Sequence, residues 1–116
     1  MNFNDLLNND DSEKNTRQGV VIFFNYGHAD LEPLHELESK LRIALYNTGT
    51  GELDGHQMAL DMLDGFLYFY GPSAEELFKT IKPILLTSAF MKKAEVNLRF
   101  GISDANQVQD IDFILE

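Results

Sequence analysis

Two acidic residues and a histidine alternate in the segment "GELDGHQ", and this is the strongest polar pattern in the chain. Glu52, Asp54 and His56 lie two residues apart, so a strand would project them from one side, with Asp61 farther along. Carboxylates and imidazoles bind divalent cations or act as general acids and bases. One interpretation is therefore a metal-binding protein or small metal-dependent enzyme. The other is structural, because Asp54-Gly55 is a turn signal whose Asp oxygen accepts bonds from nearby amides.

Other catalytic patterns are missing from the sequence. It contains no Ser-His-Asp order, phosphate loop, HExxH or glycine-rich dinucleotide turn. It has no cysteine, which removes thiol catalysis, disulfides and Cys-based zinc sites. His28 follows a glycine in a predicted loop, and His35 lies among glutamates on a predicted helix, where solvent contact is expected. Beyond the acids and histidines themselves, the sequence therefore gives no support for catalysis, and it predicts no cofactor.

A stripe of aromatic residues is the better candidate for a binding surface. In "DGFLYFYG", Phe66, Tyr68 and Tyr70 alternate and therefore share one side of a strand. The earlier strand "GVVIFFNYG" is apolar on both sides, which is typical of a central strand. We assign its Phe24 and Tyr26 to the same open sheet face. A contiguous apolar surface of this kind is rare on a monomer, so the pattern predicts that something covers it.

Three covers are consistent with the sequence. A second copy would cover the face in a homodimer, and the chain's own apolar end, residues 108–116, would supply a fifth strand or a flap. Single-stranded RNA is the third, because Gly65, Phe66 and Tyr68 match the RNP1 pattern of RNA-recognition domains. However, Asp64 replaces the leading cation of that pattern. Nucleic acid therefore ranks last.

Charge narrows the class of partner. The 116 residues include 19 acidic and 9 basic side chains, for a net charge of −10. Phosphate contacts supply much of nucleic-acid affinity, so this balance disfavours such a partner. An acidic surface favours solubility, and it also fits a basic protein partner, by analogy with acidic inhibitors that cover basic enzymes. No apolar run approaches the ~18 residues of a membrane span, and no signal peptide is visible. We therefore expect a cytoplasmic protein that does not enter membranes. We expect it to act as an interaction or ligand-sensing module that associates with itself through the open sheet face.

The apolar periodicity predicts one domain built from four strands and two helices. Residues 1–18 are polar and predict a flexible acidic tail, and residues 19–116 predict a single domain. The order βαββαβ predicts an α+β, ferredoxin-like two-layer sandwich: a four-stranded antiparallel sheet with two helices on one face. Strands one and three would be central and strands two and four would be edges. The strands are predicted at 19–27, 56–63, 66–70 and 94–101, and the helices at 30–46 and 74–87.

Local signals predict how these elements begin and end. Asp30 is an N-cap candidate for the first helix, and "NTGTG" supplies C-cap residues after it. Ser73 and Glu76 form a capping box for the second helix. The Asp64-Gly65 dipeptide predicts the turn of a hairpin between strands two and three.

The segments "GELDGHQ", "FLYFYGPSAEELFKTIKPIL" and "VNLRFG" resemble a group of small bacterial proteins with no established activity. That group shares G-E-[FY]-D-G-[DN]-E, Y-x-Y-G-P-[DS]-A-[DE]-x-L-F, P-[VI]-L and R-Y-G. The resemblance spans about residues 20–101 and implies a compact two-layer fold without a function. The chain departs from the group at His56 and Gln57, where the group has an acidic pair, which weakens a metal site there. The matching residues are Gly51, Glu52, Asp54, Gly55, Tyr70, Gly71, Pro72, Ala74, Leu77, Phe78, Pro83, Arg99 and Gly101.

Overall fold

The computed structural model describes residues 18–102 and 108–116 of the chain. The predicted α+β class is confirmed for these residues. Residues 1–17, which make up almost all of the predicted tail, lie outside the described residues, and Gln18 already belongs to the first strand. In chain order the elements are β1 (Gln18–Asn25), α1 (Glu32–Thr48), β2 (Glu52–Met58), β3 (Asp64–Gly71), α2 (Ala74–Leu85), a short 3-10 helix (Ala89–Met91), β4 (Glu95–Ile102) and β5 (Val108–Ile114).

The strands form one five-stranded sheet in the order β2-β3-β1-β4-β5, and every neighbouring pair is antiparallel. The predicted central positions of β1 and β3 are confirmed. The prediction that β4 is an edge strand is wrong, because β5 pairs with it, for example at Val96 and Phe113. The C-terminal segment therefore widens the sheet and does not fold across its face.

Both helices pack on one face of the sheet. Strand residues on that face and the inward leucines of α1 belong to a single buried cluster, as does the inward side of α2. The leucines of α1 recur every three or four residues, which keeps them on one side of the helix. Neither helix is long and apolar enough to span a bilayer, within the part of the chain described here. The largest fully buried side chains are Phe24, Phe69, Ile22, Leu34, Leu37, Leu41, Leu45, Leu67, Leu77, Ile81, Leu85 and Met91.

The start of α1 differs from the prediction. The N-cap position is Leu31, which makes no side-chain cap, so the assignment of Asp30 as N-cap is wrong. Asp30 still helps, because its carboxylate accepts a hydrogen bond from the Glu32 backbone N–H at 3.0 Å. The helix ends as predicted in "NTGTG": Gly49 adopts a left-handed conformation, with φ of 66°.

The start of α2 follows the prediction at Ser73, which supplies half of the predicted capping box. Ser73 is the N-cap and accepts a hydrogen bond from the Glu76 backbone N–H at 3.3 Å. A second acceptor comes from β1, since the Gln18 side-chain oxygen accepts from the Ala74 backbone N–H at 2.7 Å. Pro83 lies in the last turn, and the helix stops two residues later. The first strand therefore helps to fix where this helix begins.

The hairpin between β2 and β3 turns earlier than the sequence predicts. β2 begins at Glu52, and the turn lies at residues 59–63, where the Met62 backbone N–H donates to the Ala59 carbonyl at 2.9 Å. Asp64 and Gly65 are the first residues of β3 and not the turn. Gly65 pairs with Met58, and a Cβ on Gly65 would lie only 2.9 Å from the Gln57 backbone carbonyl oxygen. The glycine therefore serves close packing at this position and not turn geometry.

Candidate interaction surface

The face of the sheet opposite the helices, here called the open face, carries alternate residues of all five strands. The cross-strand pairs define it in rows: Phe66 pairs with Phe23, which pairs with Glu95. The next row pairs Tyr68 with Val21 and Val21 with Asn97. Residues between these positions point into the helix layer because side chains alternate along a strand. The open face is therefore aromatic along β3 and β1 and polar along β4.

The aromatic part is a strip of three rings, Phe23, Phe66 and Tyr68, here called the ring strip. The Phe23 and Phe66 ring centroids are 4.9 Å apart, and Phe66 stacks on Tyr68 at 5.9 Å. The Tyr68 hydroxyl donates to the Gln57 side-chain oxygen at 3.0 Å, which fixes the end of the strip beside β2. All three rings are half-buried, so they pack together and still present surface to a partner.

Tyr70, the third predicted ring of β3, lies on the same face and is 37% exposed. It pairs with Gly19, and a Cβ on Gly19 would lie 3.6 Å from the Tyr70 ring. Because Gly19 has no side chain, the Tyr70 ring can pack closely against the backbone of β1.

The assignment of Phe24 and Tyr26 to the open face is wrong. Phe24 is 1% exposed and Tyr26 is 7% exposed, and both belong to the core beneath the helices. The cause is the register of β1: Phe23 pairs with Phe66, which places Phe24 on the other side, opposite Gly65. A glycine there leaves room for the buried ring. The ring that β1 contributes to the open face is Phe23, which the sequence did not single out.

Tyr26 has a structural role at the start of α1. Its hydroxyl donates to the Asp30 backbone carbonyl at 2.6 Å and accepts from the Leu34 backbone N–H at 3.3 Å. Its ring contacts those of His28 and Phe90 at 4.8 and 5.1 Å. Burial raises the pKa of Tyr26 above its ordinary value of 10.0; the Leu34 N–H opposes the rise and the Asp30 carboxylate adds to it. The tyrosine therefore caps a helix that has no side-chain cap at Leu31.

The variant Tyr26→Phe is expected to lower the free energy of unfolding at neutral pH by about 1–2 kcal/mol, because a buried N–H loses its acceptor. The pH dependence has a defined sign. Because folding raises the pKa of Tyr26, the unfolded chain ionises first, so the stabilisation is complete below pH 10.0 and is lost above it. Urea unfolding across this range should therefore show a steeper alkaline loss for the unmodified chain than for the variant.

The matched control for this prediction is Tyr46→Phe, because Tyr46 is 89% exposed on α1. This control should leave both the neutral stability and the alkaline loss unchanged. Equal alkaline losses in the Tyr26→Phe variant and the unmodified chain would contradict the proposed capping role.

The polar part of the open face is a chain of hydrogen bonds across β4 and β5. The Arg99 Nε–H donates to the Asn97 side-chain oxygen at 2.8 Å, and the Asn97 amide donates to the Asp112 carboxylate at 2.7 Å. Between these residues and the ring strip lies a groove of about 780 Å³, whose apolar lining includes Val21 and Phe23. The apolar part of the open face is therefore smaller than the sequence predicts.

The structure does not bring the predicted polar patch together. A bulge between Leu53 and Gly55 shifts the alternation, so Glu52 lies on the open face at the level of Tyr70, whereas His56 lies on the helix side. Asp54 is exposed at the bulge. Asp61 lies in the hairpin turn, where its carboxylate accepts from the Leu63 backbone N–H at 3.1 Å. Among the described residues, no group of three His, Asp or Glu side chains is arranged to hold a metal ion.

His56 instead binds a glutamate on α1. The His56 Nδ1 lies 2.9 Å from the carboxylate of Glu38. Glu38 is only 7% exposed and lies among apolar side chains. A buried carboxylate requires a polar partner, and His56 supplies it. Close by, the Arg42 guanidinium donates to the Leu53 backbone carbonyl at 2.9 Å. These two contacts attach the edge strand β2 to the helix, which gives the histidine a structural explanation.

Comparisons with protein-family models, curated proteins and solved structures find no match to this chain. The resemblance to the group of small bacterial proteins therefore stays a prediction.

Proposed function

We propose that this chain is a non-catalytic interaction module and that the open face is its binding surface. The observation that carries the proposal is the ring strip: three contacting rings lie half-buried on the side of the sheet away from both helices. Rings of this kind give large contact area at low entropic cost and recur in binding surfaces. The metal-dependent alternative has no comparable support, because the β2 bulge separates Glu52 from His56.

We also propose that the first four strands and both helices form a ferredoxin-like arrangement, to which β5 is added beside β4. The position of β1 between β3 and β4 supports this, as does the placement of both helices on one face. In such an arrangement the second face of the sheet carries no helix and is free to contact a partner.

We propose that self-association through this face is weak and depends on concentration. Five strands with three outward rows give a face of roughly 500 Å², from a strand spacing of ~4.8 Å and a two-residue repeat of ~7 Å. A stable interface of standard size buries about 800 Å² on each partner. Two copies would also bring carboxylates such as Glu95 and Asp112 toward each other. Both features limit a homodimer.

Light scattering over a range of protein concentrations tests this proposal. The average mass of the unmodified chain should rise with concentration, and more at high salt, because salt screens the repulsion between acidic faces. The variant Phe66→Ser should remain monomeric, because it removes the middle ring of the strip. The control Tyr46→Ser, on an exposed helix position, should behave as the unmodified chain does. Equal association by both variants would overturn self-association through the open face.

A further inference from the structure

We infer that the open face binds a cationic protein segment, in which lysine or arginine side chains lie along the ring strip. This inference rests on the proposed function and specifies the chemistry of the partner. The partner inferred is a basic protein segment and not a second copy of the chain or RNA. Three features of the described residues support this: the charge of the open face, the position of Glu95 and the surroundings of Arg99.

The first feature is the charge balance of the open face. Cross-strand pairing and alternation place five carboxylates on it, against one guanidinium, that of Arg99, among the described residues. The whole chain carries a net charge of −10. A basic partner would therefore be attracted over a long range and would be held where its charge is complementary. The carboxylates belong to Glu52, Asp64, Glu95, Asp110 and Asp112.

The second feature is the position of Glu95 beside the ring strip. Glu95 is paired directly with Phe23, which in turn contacts Phe66 at 4.9 Å. A cation that contacts these aromatic rings would also have the Glu95 carboxylate one strand away. The aliphatic stem of a lysine or arginine would lie on the same apolar floor, together with Val21. The groove thus offers both parts of such a side chain a suitable surface.

The third feature is the environment of Arg99. A lone arginine on this face would suggest an anionic ligand, but its neighbours argue against one. Its Nε–H donates to Asn97, which is itself bonded to Asp112, and Asp110 lies opposite Arg99 in the pairing. Two carboxylates, those of Asp110 and Asp112, therefore lie on the same face as this guanidinium and offset its charge. This environment disfavours phosphate or carboxylate groups on a ligand, and with them RNA.

The test uses a fluorescent peptide of eight arginines as the probe and measures its affinity together with the amide chemical shifts of the chain. Saturable binding that weakens as salt rises is expected, with shifts concentrated on β1, β3 and β4. Arg99→Gln should tighten binding, since it removes the cation of the face, whereas Glu95→Gln should weaken it. Each change is expected to be roughly two- to fivefold, the range for one exposed ion pair. Glu36→Gln, an exposed acid on the helix side, is the charge-matched control and should change affinity little.

Several results would overturn the inference. Weaker binding by Arg99→Gln would indicate an anion site, and an equal loss in Glu36→Gln would indicate diffuse attraction to an acidic chain. Tighter binding of an oligouridylate than of the peptide would indicate RNA. Absence of peptide binding, with self-association still abolished by Phe66→Ser, would reject the cationic partner and retain the open face as a binding surface. If Phe66→Ser changes neither property, both the inference and the proposed function are wrong.

Discussion

Replacing Phe24 with alanine is expected to lower the free energy of unfolding by about 3–5 kcal/mol, the usual cost of removing a fully buried ring. Phe24 is 1% exposed and packs against Tyr26 and Phe90, with ring centroids 6.2 and 5.7 Å away. Its removal would leave a cavity between the sheet and the helices that these neighbours can fill only in part. Urea unfolding monitored by circular dichroism measures the loss.

The adjacent residue provides a matched control. Phe23→Ala removes the same atoms from the open face, where the ring is half-buried, so we expect a smaller loss of about 1–2 kcal/mol. The effects on peptide binding should be reversed. Phe23→Ala should weaken binding, whereas the folded molecules of Phe24→Ala should bind the peptide as tightly as the unmodified chain does. Larger destabilisation by Phe23→Ala would mean that β1 is shifted by one residue, since such a shift exchanges the two faces.

Phe23 and Phe24 also show which property of the ring strip cannot be predicted from the sequence. The central position of β1 is readable because both of its sides are apolar, and a strand covered by water on one side would alternate. That same feature hides which side faces the helices, since Val20, Ile22 and Phe24 are as apolar as Val21 and Phe23. The choice depends on the partner strand. In the structure, Phe24 shares its side of the sheet with Leu67 and Phe69 and lies in the core beneath the helices.

The polar patch was mispredicted for a related reason. The two-residue spacing of Glu52 and His56 indicates a common side only if β2 is regular, and the bulge between Leu53 and Gly55 makes it irregular. A bulge depends on hydrogen bonding to β3, which is not encoded in the spacing. Likewise, the clean alternation of β4 shows that one of its faces is polar, but it cannot show whether another strand pairs with its edge.

Helix ends were predictable to the extent that they rely on neighbours in the sequence. Ser73 and Gly49 act as predicted because each works within its own turn. Two further contacts come from β1 and the residue that follows it: the Gln18 side chain bonds the start of α2, and the Tyr26 hydroxyl bonds the start of α1. These contacts span 56 and 8 residues of sequence, so no local pattern indicates them. The first residue of β1 and the residue directly after its end thus help to fix where the two helices begin.

The variant Gly71→Ala is expected to cost about 3 kcal/mol or more, or to prevent folding, because overpacking at rigid backbone has no side chain to move aside. A Cβ on Gly71 would collide with the Thr50 carbonyl oxygen and lie 3.1 Å from the Gly51 Cα. Gly51 is equally confined, since its own Cβ would lie 2.5 Å from the Tyr70 carbonyl oxygen. These two glycines therefore let the chain on either side of β2 and β3 approach closely where α2 begins. The control is Gly27→Ala, whose added Cβ meets no atom within 4 Å and whose φ of 73° costs an alanine only about 1–2 kcal/mol. Thermal and urea unfolding should separate the two variants clearly, and equal stability would mean that β2 and β3 do not approach this closely.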